Sequence, residues 1–152
     1  MPKAVIRAAT LEELETCAAF WHAMFSEIAG SDRIFPAGWE EAFVQYFRRR
    51  VNEDDARYFV ALDNTKIIGT AGAILRDGYP FTIMPSWRTG YILGVRVEPA
   101  HRGHGTAAAL TEACVAWLRR IGCTRIRLHA SSMGRPIYER LGFVRTNEME
   151  LR

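Results

Sequence analysis

The chain has 152 residues, 49% of them apolar, and a formal net charge of +3; the length suits one domain, residues 1–152, and the apolar share suits a sizeable single core. No window approaches the ~18 uninterrupted apolar residues of a membrane span, the start MPKAVIRAAT does not read as a signal peptide, and Cys17, Cys114 and Cys123 form no CxxC pair, so a reduced, cytoplasmic protein without a membrane partner is expected. The charge excess suits a small polyanionic ligand without demanding nucleic acid, and the run Arg48–Arg50 reads as a solvated helix C-terminus favoured by the dipole.

Taken in chain order, Ala4–Thr10 reads as a short strand. Thr10 and Glu13 then form a capping box, followed by apolar positions Leu11, Leu14, Cys17, Ala18, Trp21, Met24, Phe25 and Ile28 at helical spacing. Gly30 ends that helix, and a loop with Pro36 and Gly38 leads to a second helix over about Trp39–Val51. Arg57–Asp63 and Ile67–Leu75 are strands joined by a tight hairpin turn. The Arg76–Arg88 segment is longer than a hairpin needs and carries Tyr79, Phe81 and Trp87, which suits a lid over a substrate. Gly90–Glu98 is the most apolar strand. A helix follows over about Gly105–Ile121, then a strand at Thr124–Ala130, a short helix at Gly134–Leu141 with Pro136 in its first turn, and a last strand or broken hairpin at Phe143–Leu151.

The stretch Glu98–Leu110, EPAHRGHGTAAAL, joins the most apolar strand to a helix. Unpaired N–H groups and the positive dipole end make such a helix start an anion site. Gly103 and Gly105 let a phosphate approach the backbone, Thr106 adds a hydroxyl, and Arg102 adds charge. An ordinary tight turn is the plain alternative. A P-loop needs a Lys that is absent here. Gly103, Gly105 and Ala108 spell G-x-G-x-x-A, but the next strand ends without the acidic residue of a dinucleotide fold. The third phosphate-binding reading is a coenzyme A pyrophosphate site.

Arg102-Gly103-x-Gly105-x-Ala107 after Val95, Val97 and Pro99 resembles the acyl-CoA-binding motif of the GNAT superfamily of N-acetyltransferases. Tyr138–Phe143, YERLGF, resembles its second signature, and the element order is similar along nearly the whole chain. The resemblance implies an α/β (α+β) fold with a mixed, mostly antiparallel sheet, order β-α-α-β-β-β-α-β-α-β, and a splayed central parallel strand pair. It also implies direct acetyl transfer from acetyl-CoA to the primary amine of a small molecule, in a ternary complex. The pattern departs at Ala100, where the family often has Gln or Arg, and at Ser131, where it often has Asn.

Acetyl transfer to an amine needs proton removal from a group whose pKa is about 10, a donor for the oxyanion, and protonation of the leaving thiolate. The resemblance places Tyr138 as general acid. It also implies that backbone near Val95 is the oxyanion donor and that Val95 and Val97 bond pantetheine. Gly94 fits the strand bulge this requires. With Arg102, Gly103, His104, Gly105, Thr106, Ala107 and Ser131, these are the expected acetyl-CoA contacts. His129 and Glu98 are candidate bases, each with a plainer structural reading. His101 and His104 form an HxxH without further ligands at zinc spacing, so no metal is expected. Trp21, Phe25, Phe35 and Trp39 are either core or an aromatic acceptor wall. The rivals are acetylation of a protein or tRNA-linked amine, and a non-catalytic acyl-CoA-binding module. A homodimer that covers the sheet edge left by a short final hairpin fits the same reading.

Overall fold

The computed structural model describes residues 3–29, 35–76, 78–79 and 87–152, the side chains of 28 and 29 excepted. The helix end at Gly30 and most of the expected lid, residues 80–86, lie outside them. The elements are β1 (Val5–Ala8), α1 (Leu14–Ala29), α2 (Trp39–Asn52), β2 (Ala56–Asp63), β3 (Lys66–Arg76), β4 (Thr89–Val97), α3 (Thr106–Arg120), β5 (Arg125–Leu128) and α4 (Arg135–Arg140). Single 3-10 turns at Leu11–Glu13 and Pro99–His101 precede α1 and α3.

The strands form one sheet in the order β1-β2-β3-β4-β5. The first three pairings are antiparallel and β4·β5 is parallel. Strand alternation divides the core between the two faces. Phe59, Ala61, Ile68, Ala71 and Ile92 meet Leu110, Cys114, Trp117 and Leu118 of α3. Tyr58 and Val60 meet Leu14, Cys17 and Ala18 of α1 and Phe43 and Phe47 of α2. All three cysteines are buried free thiols. Among the described residues no helix is long and apolar enough to cross a membrane.

The capping box forms as its spacing predicts. The Thr10 N–H donates to Glu13 Oε2 at 2.8 Å, and Arg7 grips the same carboxylate with both terminal nitrogens at 2.7 and 2.8 Å. The Arg7 hydrogen bonds pull the Glu13 carboxyl from its ordinary 4.5 down to about 2. A folded-state pKa depressed in this way contributes stability above the unfolded value, and that stability is lost as pH falls through the folded one. The melting temperature is therefore expected to drop between pH 4.5 and about 2, and to drop less steeply in Glu13→Gln. Parallel slopes in thermal melts of the two proteins would contradict the assignment.

The expected strand after α4 does not form. The Phe143 N–H closes back on the Tyr138 carbonyl at 3.0 Å, and Phe143 alone of the segment packs on the core. Beyond it the polar run Arg145–Glu148 breaks the alternation a strand needs. Val144, Met149 and Leu151 are 83–100% exposed. The segment stays beside β5 through an Arg127–Glu148 ion pair at 3.6 Å. The parallel β4·β5 pair therefore lies at the sheet edge rather than at its centre.

Candidate active site

β4 pairs with β5 only as far as Ile92↔Leu128, yet it runs on to Val97. Beyond Ile92 the two strands part. On the β3 side the register jumps from Gly72↔Leu93 to Thr70↔Arg96, leaving Gly94 and Val95 opposite Ala71 alone. This is the bulge that the glycine suggested, and Gly94 adopts φ +63° there. The bulge inverts the side-chain alternation. Ile92 packs on the α3 face, whereas a Cβ on Gly94 would meet Tyr58 and Trp21 on the other face. Val95 and Val97 return to the α3 face.

The backbone of the parted strand faces the gap. The Glu98 N–H bonds the Ile68 carbonyl of β3 at 2.8 Å. Main-chain groups of alternate residues point to opposite edges, so those of Val97 and Val95 point away from β3. Arg102 Nε reaches the Val97 carbonyl from that side at 2.9 Å.

A cavity of about 460 Å³ fills the angle between β4, the start of α3 and α4. Val95, Val97, Arg102, Gly103, Gly105, Thr106, Ala107, Ser131 and Tyr138 all line it. Gly103 and Gly105 adopt φ +83° and +79°, the left-handed region that glycine occupies without strain. This turns the chain so that the first N–H groups of α3, which have no intrahelical acceptor, end at the cavity. Ser131 lines the opposite wall and its hydroxyl accepts from the Gly134 N–H at 3.1 Å. His104 sits on the same loop, exposed, outside the lining.

Tyr138 is buried in α4. Its ring lies on Gly134, where an added Cβ would stand 3.0 Å from Cε2, and packs edge-on to Phe143. Burial pushes its phenol up to about 12. The two candidate bases lie elsewhere. Glu98 pairs with Lys66 at 3.0 Å and lies 3.6 Å from His101 Nδ1. The exposed His129 holds its Nδ1 against the Tyr91 hydroxyl. Neither lines the cavity.

Another lining residue carried no sequence signal. Glu27, near the end of α1, accepts from Arg96 Nη2 at 2.6 Å and from Arg102 Nη2 at 2.7 Å. Burial opposes its charge, but the bonds from Arg102 and Arg96 outweigh burial and hold the carboxyl below its usual range. The helix pair is thereby tied to both the strand and the loop of the cavity. Met24, His101, Met133, Ile137 and Arg140 also line it; of these Met24 belongs to the apolar stripe of the first helix, His101 to the Glu98–Leu110 stretch, and Ile137 and Arg140 to the short helix read at Gly134–Leu141, whereas Met133 lies in none of them. Among the described residues, Trp21, Phe35 and Trp39 pack on one another edge-on or tilted, outside the lining of this cavity.

The chain matches the Acetyltransferase (GNAT) family over residues 21–143. It is 30% identical over 116 residues to a glucosamine 6-phosphate N-acetyltransferase of Trypanosoma brucei brucei, a stretch covering 76% of each chain. A predicted acetyltransferase of Clostridium acetobutylicum, solved with acetyl-CoA, superposes with TM-score 0.86 at 26% identity, over 98% of this chain and 96% of the other. A GCN5-related N-acetyltransferase from Ralstonia eutropha JMP134 gives TM-score 0.86 at 28% identity, over 98% and 97%. With the parted β4·β5 pair and the glycine loop at the head of α3, these matches show that the chain belongs to the acetyltransferase (GNAT) family and is an N-acetyltransferase.

Proposed function

We propose that the chain transfers the acetyl group of acetyl-CoA directly to the primary amine of a small molecule. The observation that carries this reading is the continuity of one cavity. It runs from the α3 N-terminus, past Val97 and Val95, to Tyr138.

Each group has a part that its placement supports. The N–H groups at Gly105–Ala108 hold the pyrophosphate, with Thr106 and Ser131 as flanking hydroxyls. Arg102 acts through its charge and through the Val97 carbonyl it holds. Backbone at Val95 and Val97 bonds pantetheine as a missing strand would, and the bulge aims an N–H at the developing oxyanion. Tyr138 donates a proton to the leaving thiolate. His129 is the base we favour over Glu98, because it lies one residue beyond the last β4·β5 pair, at the level where the strands part. In the tautomer that donates Nδ1–H to the Tyr91 oxygen, Nε2 keeps the lone pair that a base needs.

Thiol release from acetyl-CoA across an amine panel tests the reading. Turnover with small amines supports it, and release with protein or tRNA-linked amines alone overturns it. The T. brucei relative's name puts glucosamine 6-phosphate on the panel. The loop assignment has its own test. A Cβ at Gly103 or Gly105 meets no protein atom within 4 Å, but both residues hold φ near +80°, where valine is strained, so the double substitution distorts the loop that presents the N–H groups. Gly103→Val with Gly105→Val is expected to weaken coenzyme A binding roughly tenfold by calorimetry, a loss of helix-terminus interactions of about 1–2 kcal/mol. Unchanged affinity would overturn the pyrophosphate site.

A further inference from the structure

From the side chains that β4 and β5 present opposite α3, we infer that the acceptor amine carries an anionic group, a phosphate or a carboxylate, bound by Arg76 and Arg127. This rests on the acetyl-transfer reading and names the class of its second substrate.

Strand alternation places the residues. Gly90 and Ile92 face α3: a Cβ on Gly90 would meet Leu118 at 2.8 Å, and Ile92 is buried against that helix. Tyr91 therefore points to the other face. The register Tyr91↔Arg127 puts Arg127 beside it on the same face, and His129, two residues on, meets the Tyr91 hydroxyl there. From β3, the Arg76 guanidinium lies 3.7 Å from the centre of the Tyr91 ring. The helices α1 and α2 cover Tyr58, Val60 and Leu93 on this face but leave Arg76 and His129 exposed.

The patch is cationic and arranged for a ligand. Stacking on Tyr91 fixes the Arg76 plane and leaves its edge donors available for a bidentate anion. Among the described residues no carboxylate pairs with Arg76. Arg127 has one, Glu148, at 3.6 Å with its side chain 65% exposed. An exposed pair of that length is weak and exchangeable. The position also suits the chemistry. His129 stands about two residues, and Tyr91 four, from the level of Val95 along the strand direction. At the strand rise this spans about 7–13 Å, the reach of a small molecule with an amine at one end and an anion at the other. In that arrangement His129 stands next to the amine, and the two arginines stand next to the anion.

The test uses matched amines with and without the charge: glucosamine 6-phosphate against glucosamine, and 4-aminobutanoate against butylamine. Parent protein is expected to favour the charged member of at least one pair by roughly tenfold or more in kcat/KM, and the pair that shows it tells phosphate from carboxylate. Arg76→Met with Arg127→Met is expected to bring that ratio to about one, while Arg76→Lys with Arg127→Lys retains part of it. Calorimetric binding of glucosamine 6-phosphate and 4-aminobutanoate to the coenzyme A-loaded protein gives a second readout that needs no turnover. Ratios near one in the parent, or ratios and affinities untouched by the methionine substitutions, overturn the anionic acceptor and leave acetyl transfer standing. Absent thiol release with every amine, alongside anion binding that still depends on the two arginines, overturns acetyl transfer and leaves the anion site.

Discussion

Tyr138→Phe is expected to lower kcat by roughly 10²–10⁴-fold, the usual contribution of a positioned general acid, with little change in coenzyme A affinity. The substitution removes one oxygen and keeps the ring on Gly134 and against Phe143, so packing and stability should hold. No described residue hydrogen-bonds that hydroxyl, so no internal bond is lost. With its pKa pushed up to about 12 by burial, the phenol stays protonated at every pH where the enzyme is assayed. The same burial makes it a weaker acid than the thiol of coenzyme A, which in water resembles a cysteine at about 8.5. Transfer is feasible because the leaving thiolate forms in the same low-dielectric cavity, where its own basicity rises. The pH profile of kcat should therefore show no limb from Tyr138, and the Phe variant should give a lower curve of the same shape. Full turnover in the variant on the best amine would remove Tyr138 from the mechanism.

Local chemistry explains which parts of this site were legible in the sequence. The capping box at Thr10 and Glu13, the stripe of Leu14, Cys17 and Ala18, and the glycines at 103 and 105 each depend on neighbours within a turn or two. Gly134 and Tyr138 are likewise one helical turn apart. Groups brought together by the fold were not legible. Glu27 meets Arg96 and Arg102 from 69 and 75 residues away, and nothing in the spacing of α1 marks position 27. The pairing of Tyr91 with His129 and Arg76 follows from strand register, which periodicity leaves undetermined. The last strand does not form. Read as a last strand or broken hairpin, it lacks alternation across the polar run Arg145–Glu148, and its exposed apolar residues find no core to face.

Gly94→Ala is expected to be strongly destabilising. The residue sits at φ +63°, where a non-glycine residue costs about 1–2 kcal/mol. Its new Cβ would also stand 2.5 Å from the Tyr58 hydroxyl and 3.5 Å from Trp21 Cδ1. Tyr58 is wholly buried between the sheet and the two helices, so its ring has no easy retreat, and overpacking of this kind costs about 1–3 kcal/mol. A total loss of about 2–5 kcal/mol in chemical denaturation is expected. Any relief by straightening the strand would turn Val95 out of the gap and lower kcat as well. The two contributions separate through Tyr58 itself. Its hydroxyl is buried without a hydrogen-bond partner among the described residues, so Tyr58→Phe alone should be neutral or stabilising by about 1 kcal/mol. On that background Gly94→Ala loses the oxygen it would strike, and the pair should couple by about 0.5–3 kcal/mol. Strict additivity would mean that backbone conformation alone accounts for the glycine. Coupling would mean that the phenol of β2 presses on the bulge of β4, so that α1 and α2, which pack that phenol, also set where the proposed oxyanion donor points.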